Sequence, residues 1–312
     1  MLNRRILRIK AFKTIYSYAV TGDMDQAKAS QMLDASCQAV RDLYLFMLSV
    51  VSPLTAESRS RIEAAKGKIN PTAEDLSANE KFADNALATY LENDPDFTRI
   101  LGKKAFSWQP YDIVIRDIFD SVQTKEWYSE YMASANTSLK EDCALFCHIF
   151  EEEFADNKAL EPILEDLSIY WNDDLCYALS WCLRSLDDIA AGRGWRLPEL
   201  YMSDVVKARN KDADVDSDSD FVHKLVRCAL SGYEGYFQKV TSLVPGWESD
   251  RLFSSDMAII ACALAEIENF PDIPSRVSIN EYVDISKFYC SPKSRSFING
   301  VLDRIVKENN LI

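Results

Sequence analysis

The sequence has 312 residues, of which 47% are hydrophobic and 27% charged, a composition that disfavours wholesale disorder and a membrane protein. Its nine glycines are well below the usual share of about 7%, which disfavours glycine-rich nucleotide-binding folds and β-sandwiches. The first residues lack an apolar segment followed by a small-residue cleavage site, so we expect a cytoplasmic protein that neither spans nor binds a membrane.

The eight cysteines and two histidines offer little material for metal or catalytic chemistry. No cysteine pair has the CxxC spacing of a zinc or redox site. Cys143 and Cys147 lie one helical turn apart beside His148, and we interpret them as a buried thiol pair rather than metal ligands. The sequence therefore predicts no histidine-based metal centre and no catalytic triad.

Charge is distributed unevenly along the chain. The formal net charge of −14 argues against a nucleic-acid partner. Residues 1–20, however, contain five basic and no acidic side chains, whereas 141–190 contain 13 acidic and two basic ones. A basic tip on an acidic body suits a local contact with a polyanion, and a solvated basic helix face is the alternative interpretation.

The first segment has the apolar spacing of an amphipathic helix. Its apolar positions recur every four residues, at Leu7, Ala11, Ile15 and Ala19. Arg4, Arg5 and Arg8 lie near its N-terminal end, so one helix can bury an apolar stripe and still present an arginine cluster. Thr21 and Gly22 are expected to end it.

Helical patterns continue through the middle of the chain. They cover 25–65 (broken at Pro53), 82–101, 111–134, 139–155, 160–170 and 174–191, with a polar connection at 66–81. The stretch 192–220 combines glycines with an acidic run and predicts a linker or exposed loop. Its alternating aspartates resemble the start of a calcium loop, but Ser217 and His223 occupy the positions that need Gly and Glu, which disfavours calcium binding.

The C-terminal quarter predicts three helices. The first, 254–268, is followed by a stiff connection at Pro271 and Pro274. Ser278 and Glu281 have the spacing of a capping box for the second helix, which is expected to end near Tyr289. We interpret Gly300, in the middle of the last helix, as a point of close approach by a neighbouring helix.

The C-terminal quarter contains the residues INE, a following helix and the motif FINGVLD, all within 256–303. These motifs resemble the NusB family of transcription antitermination factors. The opening RRxxRxxAFxxIY is similar to the first helix of the family, and 219–247 to its second and third helices. The expected fold is all-α, a NusB-like helical bundle with an additional helical domain or insertion. We predict a discontinuous RNA-binding module of 1–22 plus 219–312, an additional helical region at 23–191, and an acidic linker or loop at 192–218.

The resemblance implies a function without catalysis or cofactors. NusB proteins pair with the ribosomal protein NusE, bind single-stranded boxA RNA and act with the RNA polymerase elongation complex during ribosomal RNA synthesis. By correspondence of motifs, the implied RNA-binding residues are Arg4, Arg5, Arg8, Tyr16, Phe297 and Asn299. Lys293 and Arg295 join them from a loop that is acidic in familiar members, and Asp256 corresponds to a residue that faces NusE.

Two alternatives stay open on the sequence alone. The chain could be a helical protein-interaction scaffold that kept the fold without RNA binding, a possibility favoured by the net charge of −14. It could also be an RNA-binding accessory to ribosomal RNA modification, because NusB-like domains occur attached to ribosomal RNA methyltransferases. No glycine-rich cofactor loop of such an enzyme is visible in the sequence.

Overall fold

A computed structural model describes residues 1–211, 217–243 and 253–308. Within these ranges every regular element is a helix, apart from an isolated bridge between Leu2 and Tyr201, which agrees with the predicted all-α class. The first nine helices are α1 (Arg4–Thr21), α2 (Gln26–Leu48), α3 (Val51–Lys66), α4 (Ala73–Leu76), α5 (Ala86–Asn93), α6 (Pro95–Leu101), α7 (Asp112–Gln123), α8 (Glu126–Ala133) and α9 (Leu139–Ile149). The remaining seven are α10 (Leu160–Leu167), α11 (Leu175–Ala190), α12 (Met202–Arg209), α13 (Asp218–Leu243), α14 (Ser254–Asn269), α15 (Ser275–Tyr289) and α16 (Pro292–Glu308).

The chain forms two compact units. The terminal unit combines residues 1–38 with the described chain from Glu199 onward, and the central unit comprises residues 39–198. The terminal unit thus extends beyond the predicted ranges 1–22 and 219–312. One reason is that the backbone of Leu2 exchanges hydrogen bonds with that of Leu200 and Met202, which ties part of the predicted linker 192–218 to the chain start; α12 lies in the same stretch.

Helix α1 begins and ends where the sequence predicts. The Asn3 side chain accepts a hydrogen bond from the backbone N–H of Ile6, and Gly22 closes the helix at a φ of 68°, a conformation that glycine adopts without strain. Three residues of the predicted apolar stripe, Leu7, Ala11 and Ile15, are buried, and Ala19 is half-buried. The helix packs on α13, α14 and α15. Burial of this stripe attaches the start of the chain to the C-terminal helices.

Helix α14 lies at the centre of the terminal unit. It packs against α1, α13, α15 and α16, and every side chain from Asp256 to Ile267 is buried. Such all-round burial explains why the helix is apolar on every side rather than amphipathic. A charged side chain on it therefore needs a partner within the fold.

The central unit has an aromatic core. The rings of Phe46 and Trp108 stack at 4.2 Å with 9° between their planes, and Trp171 lies 5.4 Å from Phe46. The indole N–H of Trp108 donates to the Phe46 carbonyl, and that of Trp171 to the Ala39 carbonyl, both at 2.9 Å. These bonds satisfy the polar atoms of two buried tryptophans.

The predicted thiol pair lies in the central unit. Cys143 is buried and Cys147 is half-buried. Burial raises the pKa of the Cys147 thiol to about 11 and that of Cys143 to about 12, so both remain protonated thiols at neutral pH. Among the described residues, no group of three His, Cys, Asp or Glu side chains could hold a metal ion.

One stretch has the composition of a membrane span. Gln26–Lys66 contains an 18-residue window with a mean hydropathy of at least 1.2, and 67% of that window is buried inside the fold. A core helix passes the same test, so this composition is weak evidence for a membrane-spanning segment.

Several sequence-based interpretations differ from the structure. The predicted helix 82–101 is divided at Asp94, whose side chain caps α6 by accepting from two backbone N–H groups. The prediction of a Ser278–Glu281 capping box is wrong, because α15 begins at Ser275 and Ser278 is buried inside the helix. Gly300 does not mark a close contact, since a Cβ there would meet nothing within 4 Å. The acidic run 212–216 lies outside the described residues. So does the end of the segment 219–247, from residue 244 onward.

Candidate nucleic-acid interface

The three arginines of α1 have three different environments. Arg8 is buried, and its Nε and one terminal nitrogen each donate to the carboxylate of Glu266 on α14, both at 2.8 Å. This is a bidentate pair between two side chains that are almost fully removed from solvent. The prediction that α1 presents Arg4, Arg5 and Arg8 as one cluster is therefore wrong for Arg8, which is buried.

Glu266 is the centre of a buried polar network. Besides Arg8, its carboxylate accepts hydrogen bonds from Ser278 at 2.7 Å and from Tyr282 at 3.1 Å. Burial lowers the pKa of Arg8, but the hydrogen bond and charge of Glu266 outweigh it, so the pKa lies above its ordinary value. Burial and the nearby carboxylate raise the pKa of Tyr282 well above its usual range. The network joins α1, α14 and α15 through satisfied polar groups.

Arg4 is half-buried. Its Nε lies 3.3 Å from an Asp218 oxygen on α13, and its guanidinium carbon lies 4.8 Å from the ring centroid of Phe221. The other Asp218 oxygen accepts from the backbone N–H of Ser203 at 2.8 Å. Arg4 therefore helps to attach α1 to α13, and only part of its side chain faces solvent.

Arg5 is the most accessible of the three. Its side chain is 42% exposed, and one terminal nitrogen lies 3.9 Å from an oxygen of Glu281 and 3.9 Å from an oxygen of Asp284, both on α15. These distances exceed those of a hydrogen bond. An exposed and weakly held cation of this kind can exchange its carboxylate neighbours for a phosphate.

The start of α16 contributes a cation, Arg295, whose charge acts on Asp284. Lys293 and Arg295 are exposed, and α16 packs on α15. A hydrogen bond from Lys287 and the charges of Lys287, Arg5 and Arg295 lower the pKa of Asp284. We call Arg5, Lys287 and Arg295 the basic cluster; the exposed Lys293 precedes Arg295 by two residues on α16.

The aromatic residues implied by the resemblance lie in separate places. Tyr16 is exposed and packs beside Phe12, whose ring also lies 5.1 Å from that of Tyr289. Eleven residues separate Tyr16 from Arg5, about 16 Å along the helix axis. Phe297 is half-buried and Asn299 exposed on α16. The structure thus places Arg5 3.9 Å from Asp284, a carboxylate on which the charge of Arg295 also acts, but leaves Tyr16 at a distance from Arg5.

Asp256 is buried in the first turn of α14. A carboxylate there interacts favourably with the helix N-terminus. Burial, together with a hydrogen bond to Asp256 and its charge, raises the pKa of the Cys290 thiol to about 12. Asp256 therefore connects α14 to the end of α15, and its predicted contact with a partner stays a prediction.

The sequence analysis did not identify Glu266, Tyr282, Asp284 or Lys287 as parts of this region. One signal was present for Glu266, an acidic residue in an otherwise apolar helix, because buried charges are paired. For the other three, only the packing of α15 against α1 and α16 reveals the environment.

The fold and this region define an all-α protein whose terminal unit holds a buried Arg–Glu pair beneath an exposed basic cluster. The sequence profile of the NusB family matches residues 183–307. A transcription antitermination protein NusB from Alkaliphilus oremlandii is 31% identical over 97 residues, which cover 31% of this chain and 70% of the relative. Those from Listeria monocytogenes serotype 4b and Clostridium botulinum are 34% and 31% identical, covering 30% and 34% of this chain and 73% and 79% of the relatives.

No solved structure matched the chain. The identity and coverage of these relatives are sufficient to assign the family: the chain belongs to the NusB family. The residues before position 183 form an additional N-terminal region outside the family match.

Proposed function

We propose that this protein is a transcription antitermination factor that binds boxA-like single-stranded RNA together with NusE and acts on the RNA polymerase elongation complex during ribosomal RNA synthesis. The observation that carries the proposal is the group of cations around the partly exposed Asp284, which lies 3.9 Å from Arg5, forms an ion pair with Lys287 and is also influenced by the charge of Arg295. In this role the protein acts in the cytoplasm by binding and has no catalytic step.

The proposed RNA-binding module is discontinuous along the chain. The packing of α1 on α13, α14 and α15 supports this arrangement, as does the buried pair of Arg8 and Glu266, 258 residues apart. The family match at 183–307 does not include α1. We therefore assign α1 to the same module as the matched helices.

The proposed contacts differ among the implied residues. Arg5, Lys293 and Arg295 are exposed or weakly held and contact phosphates. Tyr16, Phe297 and Asn299 are proposed to contact bases. Arg4 and Arg8 act on RNA indirectly, by fixing the position of α1.

The proposed NusE contact lies at the start of α14. Because Asp256 is buried, its role there is to hold the helix start in place. The half-buried Ser255 beside it is available for direct contact with a partner.

The test is a salt titration of RNA binding with the triple variant Arg5→Ala, Lys293→Ala, Arg295→Ala. Each lost phosphate contact reduces the slope of log affinity against log salt by about 0.7 for a single strand, so the variant slope is expected to be smaller by about 2. Affinity for a boxA RNA oligonucleotide is measured by fluorescence anisotropy, with and without purified NusE.

The matched control removes three positive charges from the central unit instead. Lys103, Lys140 and Lys158 are exposed there, and their replacement by Ala is expected to change the slope much less than the Arg5 triple variant does, because these side chains act on RNA only through screened long-range charge. Equal affinity and slope for the wild type and the Arg5 triple variant would exclude the proposed RNA site. That result would favour the scaffold alternative, with which the 28 acidic and 16 basic residues of the central unit are compatible.

A further inference from the structure

We infer that Phe288, near the end of α15, stacks on a nucleobase of the RNA held by the basic cluster. The inference rests on the proposed function and adds to it a residue that no sequence motif indicated. Its basis is the position of an exposed aromatic ring beside a group of cations that belong to three different helices.

Phe288 is unusually exposed for its size. Its exposed fraction is 76%, the largest among the bulky apolar side chains in the described part of the terminal unit. Neighbouring positions of α15 follow the usual pattern, since Ile285 and Ser286 are buried. Packing within the unit therefore does not explain the choice of an aromatic residue at this position.

The helical register places Phe288 next to the basic cluster. Residues four apart lie on the same face of a helix at about 5–6 Å, so Phe288 is one turn beyond Asp284. Asp284 lies 3.9 Å from Arg5 and also interacts with Lys287 and Arg295. One face of α15 thus presents a ring beside cations from α1, α15 and α16.

Single-stranded RNA combines the two features that this face recognises. Its phosphates carry regularly spaced negative charge, and its unpaired bases have flat apolar faces that stack on aromatic rings. A phosphate bound by Arg5 or Arg295 brings the adjoining base within reach of Phe288. A free phosphate or another small anion would use the cations but leave the ring in water.

The experiment combines a protein variant with a modified RNA. Phe288→Ala removes the ring without changing charge, and stacking contacts of this kind typically change affinity about fivefold or more per base. The expected result is a loss of that size for a boxA RNA oligonucleotide at an unchanged salt slope. Phe288→Trp keeps an aromatic face and is expected to retain wild-type affinity.

Two further measurements isolate the base contact. An abasic oligonucleotide of the same length is expected to bind wild type and Phe288→Ala equally, because it offers phosphates without bases. Val206→Ala is the control for loss of an exposed apolar side chain, since Val206 is exposed on α12, which carries none of the proposed RNA contacts, and it is expected to leave RNA affinity unchanged.

The outcomes separate this inference from the proposed function. RNA binding by the wild type, with equal affinities for wild type and Phe288→Ala, would overturn the stacking role and leave the RNA proposal intact. A Phe288→Ala variant that lost binding to a protein partner alone would likewise overturn it. A wild type that bound no RNA would overturn both.

Discussion

Arg5 and Arg8 lie three residues apart on α1, yet one is exposed and the other is buried against Glu266. Both have the same chemistry, so the surrounding helices decide which arginine is available to a ligand. Arg8 serves the fold because α14 supplies a buried carboxylate opposite it. Arg5 stays accessible because its acidic neighbours, Glu281 and Asp284, are themselves partly exposed.

This difference predicts unequal effects on stability. Arg8→Ala leaves the buried Glu266 carboxylate without its cation, and breaking a buried ion pair from one side typically costs about 3–5 kcal/mol. We expect the free energy of unfolding to fall by about that amount. Urea denaturation followed by circular dichroism measures it.

The control for Arg8→Ala is a variant that removes a weaker contact of the same arginine. Glu281 lies 3.8 Å from Arg8 and is partly exposed, so Glu281→Ala is expected to cost about 1 kcal/mol or less. If Arg8→Ala unfolded at the same urea concentration as the wild type, the buried network would contribute nothing to stability.

At the scale of single helices, two glycines in helix interiors differ in the space available for a side chain. Gly232 lies in α13, where a Cβ would approach the ring of Tyr236 to 2.5 Å, and Tyr236 is held by a hydrogen bond to Glu268. Gly300 lies in α16, where a Cβ would meet nothing within 4 Å. Helix propensity alone would favour Ala at both positions by about 1 kcal/mol.

We predict that replacement by Ala changes the free energy of unfolding in opposite directions at these two positions. Gly300→Ala is expected to raise the free energy of unfolding by up to about 1 kcal/mol. Gly232→Ala is expected to lower it, because the buried Tyr236 ring must move. Thermal and urea denaturation of the two variants measure this, and stabilisation by Gly232→Ala would contradict the packing described for α13.

Local patterns predicted most of the helices but few of their partners. The apolar spacing and Gly22 predicted α1 because both signals lie within the helix itself. Pro53 marked the region of a break but not its position, since proline is tolerated in the first turn of α3. The burial of Arg8 could not be predicted, because it depends on Glu266, 258 residues away. For the same reason the sequence did not reveal that Ser278, whose spacing from Glu281 is that of a capping box, donates its hydrogen bond to Glu266.

At the scale of the whole molecule, the acidic charge is concentrated in one unit. The central unit contains 28 acidic and 16 basic residues, whereas the terminal unit contains 21 and 19. A nearly neutral unit with a local basic cluster can attract RNA at short range. The strongly acidic unit repels a polyanion over distances set by the Debye length, about 30 Å at 0.01 M salt and 10 Å at 0.1 M.

This repulsion predicts an effect on the rate of RNA binding rather than on the bound complex. Glu161, Glu165 and Asp166 are exposed on α10 of the central unit, and replacing them by Gln, Gln and Asn removes three negative charges. The association rate constant for boxA RNA is expected to rise about twofold at low salt, because reduced repulsion favours encounter. Stopped-flow fluorescence at several salt concentrations measures it.

The dissociation rate constant is the internal control and is expected to stay the same, because α10 is not part of the proposed interface. The gain in association rate is expected to disappear near 0.3 M salt, where screening is almost complete. A gain that persisted at high salt, or a change in dissociation, would mean that the central unit contacts the RNA directly. An association rate unchanged at low salt would mean that its acidic charge plays no part in RNA encounter.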